Sequence, residues 1–124
     1  MIEIEVFREG EALVLYALVV NHKCLVREFI GGLEVDDKKQ VVHLIKQRAD
    51  RLIIHNEQIF RSIGNDIFEL KTRNGIRILC FWAGRGKLIL THGFPKPPEK
   101  VLKQEKKKAV GWLKEYRERI NKFY

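Results

Sequence analysis

The chain has 124 residues, of which 45% are hydrophobic, so it is long enough for one domain with a buried core and too short to be expected to form two. Its two cysteines lack a CxxC spacing and exclude a disulfide-rich framework, while the longest apolar run, from Ala12 to Val20, is about half the length of a membrane-spanning helix. The N-terminus also lacks the basic start and cleavage site of a signal peptide, so we expect a single cytoplasmic domain over residues 1–124 with reduced thiols.

Two strands are the first predicted elements. Apolar residues alternate with mostly polar ones over residues 2–7, which is typical of a strand with one face in solvent. The more continuous apolar run at 13–20 predicts a second strand that is buried on both faces and forms a hairpin with the first. A short helix is predicted at 24–29 and ends at Gly31-Gly32, because paired glycines favour open backbone conformations.

A longer amphipathic helix is predicted from about residue 37 to residue 54. Either Asp36 or Asp37 would cap its N-terminus, since a carboxylate there can accept a hydrogen bond from the first turn. We expect residues 56–63 to add a further turn of helix. The apolar positions that recur at intervals of three and four residues are Val41, Val42, Ile45, Ala49, Leu52 and Ile53.

Three short β-like runs follow, at residues 67–71, 76–83 and 88–92. Turn residues separate them, and Asn74-Gly75 is a strong hairpin signal because both residues tolerate positive φ. The runs are therefore predicted to form a three-stranded antiparallel meander.

A last helix is predicted after the proline-containing segment 95–98, since proline is tolerated in a first helical turn. Its apolar stripe is flanked by basic faces and consists of Leu102, Ala109, Leu113, Tyr116 and Ile120. The sequence thus predicts an α+β fold in which a twisted, largely antiparallel sheet packs with two or three helices, the last of them basic.

The net charge of +8 is concentrated in the C-terminal half. Residues 1–70 carry nine Lys and Arg against twelve Asp and Glu, whereas residues 71–124 carry fifteen against four. A one-sided cationic field attracts a polyanion, and nucleic acid is the commonest such partner of a basic domain. A solvated lysine face without a specific partner is the alternative.

A resemblance to a known family lies in three consecutive segments. They are Phe68-Glu69-Leu70-Lys71, Gly75-Ile76-Arg77-Ile78-Leu79-Cys80-Phe81 and Leu88-Ile89-Leu90-Thr91-His92-Gly93-Phe94-Pro95-Lys96. In order and spacing they resemble the core of the RelE/ParE toxin superfamily, in particular its phage-derived HigB-like branch. In that branch a strand ending in Glu-Leu-Arg, an Arg-initiated apolar strand and a His-x-Phe-x-Lys segment precede a C-terminal helix.

The resemblance implies a RelE-like single domain and the role of toxin in a type II toxin–antitoxin system. The expected activity is that of an mRNA interferase, a metal-independent endoribonuclease that cleaves ribosome-bound mRNA without a cofactor and inhibits translation. The expected partners are the ribosome with its mRNA and a helix-turn-helix antitoxin encoded nearby. Operator DNA would be bound through the toxin–antitoxin complex alone, and no membrane is involved.

A non-catalytic protein on the same fold is the alternative. It would be either a ParE-like gyrase inhibitor or a phage-derived accessory protein that binds nucleic acid. The set Arg77, Lys71, Lys96 and His92 favours the nuclease, because ParE-like members of the superfamily tend to lose this cluster.

Arg77 is the first candidate catalytic residue. Cleaving RNA without a metal requires activation of the 2′-hydroxyl, stabilisation of charge on the transition state and a proton for the leaving oxygen. By resemblance Arg77 matches the family's arginine at the scissile phosphate, and its guanidinium fork suits two phosphate oxygens. The alternative is an exposed strand arginine that pairs with Glu69.

Three further residues of the matched core are candidates. Lys71 stands where the family branch has arginine and would contact the same phosphate as a point charge. Lys96 matches a basic residue after the last strand and would bind phosphate or transfer a proton, unless it is a solvated loop lysine. His92 suits a general acid or base because imidazole titrates near neutral pH, and a histidine hydrogen-bonded to backbone is its alternative.

Better-studied relatives carry lysines in the strand that here contains Ile67, Phe68 and Glu69. Either His92 or Lys96 has therefore taken the role of their lysine base, or the activity is weak. Basic residues in the turns and on the last helix are predicted to contact RNA or the ribosome, or else to be solvated without a specific role. They are Arg73, Arg85, Lys100, Lys103, Lys106 and Lys107.

No metal site is predicted. His22, Cys24, His43 and His55 match no zinc-binding spacing.

Overall fold

A mixed β-sheet forms the middle layer of the molecule, with helices on both of its faces. The computed structural model describes residues 2–123, with side chains to residue 120. Within this range the elements are β1 (Ile2–Glu9), β2 (Val14–Val20), β3 (Lys23–Cys24), α1 (Leu25–Gly31), α2 (Val35–Asp50), β4 (Phe60–Gly64), β5 (Ile67–Lys71), β6 (Arg77–Trp82), β7 (Lys87–Phe94) and α3 (Glu99–Phe123). The fold class is α+β, as predicted, and the arrangement is consistent with a RelE-like domain.

The sheet joins the two halves of the chain. Its strand order is β1-β2-β7-β6-β5-β4, and the short β3 pairs with β2. β2 and β7 run parallel, with Val14 opposite Lys87 and Ala17 opposite Leu90, whereas the other neighbouring strands are antiparallel. The predicted N-terminal hairpin is therefore flanked by the last strand of the C-terminal meander.

Each face of the sheet has its own buried core. α1 and α2 pack on one face, and α3 packs on the other, which we call the α3 face. β2 contributes Leu15 and Ala17 to the first core and Leu18 to the second, so the prediction of a strand buried on both sides is confirmed. The other fully buried members on the α3 face are Ile2, Ile67, Leu79, Phe81, Ile89, Phe94, Ala109 and Leu113.

The N-terminus of α2 differs from its prediction. The helix begins at Val35, and the N-cap residue Glu34 forms no side-chain hydrogen bond with it. The prediction that Asp36 or Asp37 caps the helix is wrong, because both lie within its first turn. There their charges still face the positive end of the helix dipole and stabilise it.

The β1–β2 turn fixes the end of α2 at Asp50, four residues before the predicted end. The amides of Ala12 and Leu13 both donate to the carbonyl of Ala49, at 3.0 and 2.8 Å. In a helix that continued to residue 54, that carbonyl would accept from the amide of Ile53, so its use by the turn opposes continuation of the helix. Leu52 and Ile53, which the periodicity placed on the buried face, are consequently 69% and 63% exposed.

The prediction of a helical turn over residues 56–63 is also wrong. Residues 60–64 form β4, which makes an antiparallel hairpin with β5. Gly64, Asn65 and Asp66 all have positive φ, as a tight hairpin turn requires. The meander therefore has four strands rather than the predicted three, and β4 is its edge.

Arg48 is buried between α2 and the meander, on the face opposite α3. Its side chain stacks on the ring of Phe60, with 4.6 Å from Cζ to the ring centroid, and lies 5.6 Å from that of Trp82. One Nη donates to the carbonyls of Arg51 and Leu52, at 2.8 and 3.0 Å. Arg48 is only 1% exposed, and burial lowers its pKa. It thus ties the extended backbone after α2 to the aromatic side chains of the sheet.

Candidate functional site

Lys71 and Arg77 lie directly opposite each other on β5 and β6. Both side chains belong to the α3 face, because residues two apart on a strand share a face and Ile67 and Leu79 are part of the α3-face core. Directly opposed residues of antiparallel strands have Cβ atoms about 5 Å apart. The fold therefore places two cationic side chains of the predicted set side by side.

A buried carboxylate holds the guanidinium of Arg77. One Nη of Arg77 donates to Oε2 of Glu69 at 2.6 Å, and Nε of Arg61 donates to Oε1 of the same residue at 2.9 Å. Glu69 is 1% exposed, and the side chain of Arg77 is 13% exposed. The pairing with Glu69 considered for Arg77 does form, but Arg77 is far less exposed than that alternative assumed.

His92 on β7 lies on the same face. It is opposite Leu79, which is the next residue after Arg77 on that face of β6. Its Nε2 is 2.8 Å from Oε2 of Glu105 on α3, and its Nδ1 is 2.9 Å from the hydroxyl of Thr91. The ring packs edge-on against Trp112, with centroids 5.0 Å apart. The expected alternative, a histidine bonded to backbone, is wrong, because both ring nitrogens meet side chains.

The protonation of His92 is under two opposing influences. Burial lowers the pKa of His92, and the hydrogen bond that its Nε2 donates to Glu105 opposes this shift without cancelling it. The Thr91 hydroxyl also lies 3.1 Å from the carbonyl of Leu79, and it has a single proton to give. A neutral imidazole that donates to Glu105 must therefore compete with Leu79 for the proton of Thr91.

This pKa shift predicts a pH dependence of stability. Because the folded pKa is below the unfolded value of about 6.5, the unfolded chain takes up the proton first as the pH falls. The free energy of unfolding is then expected to decrease from about pH 6.5 downward until the folded pKa is reached. Urea unfolding at pH 7.5 and 5.5 should show a smaller decrease for His92→Gln than for the unaltered protein. His43→Gln, which alters an exposed histidine on α2, is the control. Equal decreases in His92→Gln and the unaltered protein would contradict the assignment.

Lys96 lies at the same end of the sheet as Lys71 and Arg77. It is exposed between β7 and α3, and its alkyl stem lies against Gly75 in the β5–β6 turn. A Cβ at position 75 would be 2.9 Å from that of Lys96, which is too close. Gly75 also has a φ of +85°, so both the space and the backbone conformation favour glycine there. Arg73 is exposed in the same turn.

The predicted contact residues fall in two places. Arg85 lies in the β6–β7 turn, at the opposite end of β6 from Arg77, so the fold does not bring it together with the catalytic candidates. Lys100 lies in the first turn of α3 and is exposed. Lys103, Lys106 and Lys107 line an open groove between α3 and the β4–β5 turn. A role of any of these residues in RNA binding remains a prediction.

Two partners of the candidate residues were missed from the sequence. Arg61 was assigned to a helical turn, because residues 60–63 show no apolar–polar alternation and the one local sign of a hairpin is the turn pair Gly64-Asn65 before the strand at 67–71. Glu105 sits among five lysines of the C-terminal helix and carries no local signal for a contact with a strand residue thirteen positions earlier.

The described residues form neither a cluster of metal ligands nor a membrane-spanning helix. Within residues 2–123, no three His, Cys, Asp or Glu residues are grouped in a way that could hold a metal ion. Cys24 and Cys80 are free thiols, and Cys80 is buried in the core as predicted. No helix in the described part of the chain combines the length and apolar composition needed to cross a bilayer.

A protein-family model matches most of the chain. The model of the family described as "Phage derived protein Gp49-like (DUF891)" matches residues 28–114, well over half of the chain. The matched region extends from α1 into α3 and contains every candidate residue discussed above. No curated protein matches the chain.

Proposed function

The chain belongs to the Gp49-like family of phage-derived proteins, a RelE-like toxin family, and on this premise we propose that it is a HigB-like toxin of a type II toxin–antitoxin system. In this proposal it acts in the cytoplasm as a ribosome-dependent mRNA endoribonuclease that needs no metal ion.

The observation that carries the proposal is the cross-strand pair of Lys71 and Arg77, with His92 one position along the same face. Two cations on rigid strands can stabilise the negative charge that develops on a phosphate during cleavage. Lys96, at the same end of the sheet, adds a third positive charge. The arrangement supports phosphate binding by these three residues.

Proton transfer is assigned to His92. A lowered pKa keeps the imidazole neutral near pH 7, which suits a base that removes the proton of the 2′-hydroxyl. Glu105 orients the ring through Nε2, so Nδ1 is the nitrogen that can exchange Thr91 for substrate. His92 is buried beneath α3 and Thr91 is completely buried, so in this proposal the ring becomes accessible to RNA only when α3 moves away from the sheet.

The partners in this proposal follow from the toxin role. A helix-turn-helix antitoxin encoded nearby would neutralise the chain, and operator DNA would be bound by the complex. Six basic residues would contact ribosomal RNA or message. Five of them are exposed and Lys106 is half-buried in the groove; the exposed ones are Arg73, Arg85, Lys100, Lys103 and Lys107.

A specific observation favours a second candidate function. Arg77 and His92 already have carboxylate partners, Glu69 and Glu105, as purely structural residues would. A non-catalytic protein, such as a gyrase inhibitor or a nucleic-acid-binding accessory protein, needs no more than this.

Mapping RNA 5′ ends after inducing the gene alone separates the two. The nuclease proposal predicts growth arrest and new 5′ ends in phase with codons within translated regions. Untranslated RNAs in the same cells are the internal control and should remain intact. DNA damage with uncut message would contradict the nuclease and indicate a gyrase inhibitor.

A further inference from the structure

Arg61, Glu69 and Arg77 form a three-residue cluster across three neighbouring strands. Arg61 on β4 is directly opposite Glu69 on β5, and Arg77 on β6 reaches diagonally across the strand pair to the other oxygen of the same carboxylate. Each oxygen of Glu69 therefore accepts one charge-assisted hydrogen bond, from a different arginine. We call these residues the arginine–glutamate triad.

The triad contains more positive charge and more donors than the fold requires. A buried carboxylate needs a partner to offset its desolvation, and Arg77 alone, itself largely buried, supplies a charge that neutralises it. Arg61 adds a second cation from the edge strand, and its side chain is 44% exposed. Lys71 stands opposite Arg77, so a third cation lies on the same face next to the pair of arginines.

The unused donors of the triad point to an oxygen-rich anion as ligand. Arg61 binds Glu69 through Nε, which leaves its two Nη groups for other acceptors on the solvent side. The Nε of Arg77 is buried and has no hydrogen-bond partner among the described residues. A phosphate has the oxygens and the charge to bind such a pair of guanidiniums.

We propose that Glu69 is a positioning residue that presents both guanidiniums to one RNA phosphate, and that Arg61 is a second phosphate-binding arginine of the site. The inference rests on the proposed function, since RNA is taken as the source of the phosphate. It assigns a direct role to β4, a strand at the edge of the sheet.

The test uses the full chain and two readouts. Binding is measured by fluorescence anisotropy with a short 2′-O-methylated oligoribonucleotide, which cannot be cleaved, over a series of salt concentrations. Arg61→Ala is expected to weaken binding about tenfold or more, as loss of a charge-assisted hydrogen bond does. It should also lower the slope of log Kd against log salt by about 0.7, the value for one phosphate contact to a single strand.

Arg27→Ala is the matched control, because Arg27 pairs with Glu5 at the same 2.9 Å distance but lies at the β1 edge of the molecule. It should bind the oligonucleotide as the unaltered protein does. If Arg61→Ala also binds unchanged, or if the unaltered protein does not bind at all, the triad is not a phosphate site.

Glu69→Gln tests the positioning role, because charge and orientation predict opposite effects. Removing the carboxylate charge makes the site more positive, so binding of the oligonucleotide should stay equal or become tighter. Cleavage of ribosome-bound message should nevertheless fall about tenfold or more in kcat, since both guanidiniums lose a charged hydrogen-bond partner. Glu69→Asp should recover part of the lost rate, whereas an unchanged kcat in Glu69→Gln would overturn the positioning role.

The two proposals can fail separately. If the unaltered protein cleaves no message but Arg61→Ala weakens oligonucleotide binding, the nuclease is wrong and the phosphate site stands. If message is cleaved and Arg61→Ala behaves as the unaltered protein, the triad proposal is wrong and the nuclease stands.

Discussion

Arg77→Ala is expected to abolish growth arrest on induction and to lower cleavage of ribosome-bound message about 10²–10³-fold, the usual effect of removing one donor to transition-state charge. Arg77 lies opposite Lys71. Two positions along β6, Leu79 lies between Glu69 and His92, so Arg77 is a near neighbour of all three residues. Arg77→Lys should retain part of the activity, because it keeps the charge and loses the guanidinium fork.

The loss must be separated from unfolding, since Arg77→Ala also leaves Glu69 with Arg61 as its single arginine partner. Circular dichroism and urea unfolding of the purified variant should show a folded protein under assay conditions. Arg51→Ala, an exposed arginine after α2 on the opposite side of the sheet, is the control for removing one positive charge and should remain toxic. A folded Arg77→Ala variant with full toxicity would exclude the catalytic assignment.

Arg48→Ala is expected to lower the free energy of unfolding by about 3–5 kcal/mol, as truncation of a large buried side chain does. The change empties the space against Phe60 and Trp82 and removes both hydrogen bonds to the carbonyls of Arg51 and Leu52. Urea unfolding at pH 7.5 measures the effect.

Arg48→Met separates packing from polar contacts. Methionine refills most of the volume and removes the cost of burying a charge, so its loss of stability should be smaller than that of Arg48→Ala. Arg51→Ala again serves as the control and should change stability by less than about 0.5 kcal/mol. A loss below about 1 kcal/mol in Arg48→Ala would show that the buried arginine contributes little.

The sequence pattern predicted the strands correctly where each strand pairs with its neighbour through a short turn. Residues 67–71 were predicted as a strand with the observed bounds, and Asn74-Gly75 does form the turn before β6. Alternation of apolar residues likewise identified β1, and a continuous apolar run identified β2. In these segments the hydrogen bonds run between neighbours along the chain, so the sequence carries the information that sets them.

The errors arise where distant residues decide the structure. α2 ends because the β1–β2 turn, almost forty residues away, takes the carbonyl of Ala49. Residues 60–64 join the sheet because Phe60 stacks on Phe68 and Arg61 meets Glu69 across the hairpin. Tertiary contacts of this kind override helical periodicity.

Four neighbouring candidate residues were named from the sequence, but most of their contacts were not. Resemblance identified Arg77, Lys71, His92 and Lys96, and the order of the strands gathers them at one end of the sheet. Pairing of Arg77 with Glu69 was one of the alternatives, whereas Arg61 and Glu105 could not be derived, since β4 was taken for helix and Glu105 lies on a helix that could pack on either face.

The parallel pairing of β2 with β7 also determines when the molecule can be completed during its synthesis. Residues 2–20 have an uncovered strand edge until residues 87–90 have left the ribosome, and α3 follows later still. If the chain cuts messages as proposed, a break in its own transcript before codon 87 would release fragments that lack β7 and α3. Such fragments would have neither His92 nor Glu105, so completed toxin molecules would limit further accumulation of the toxin.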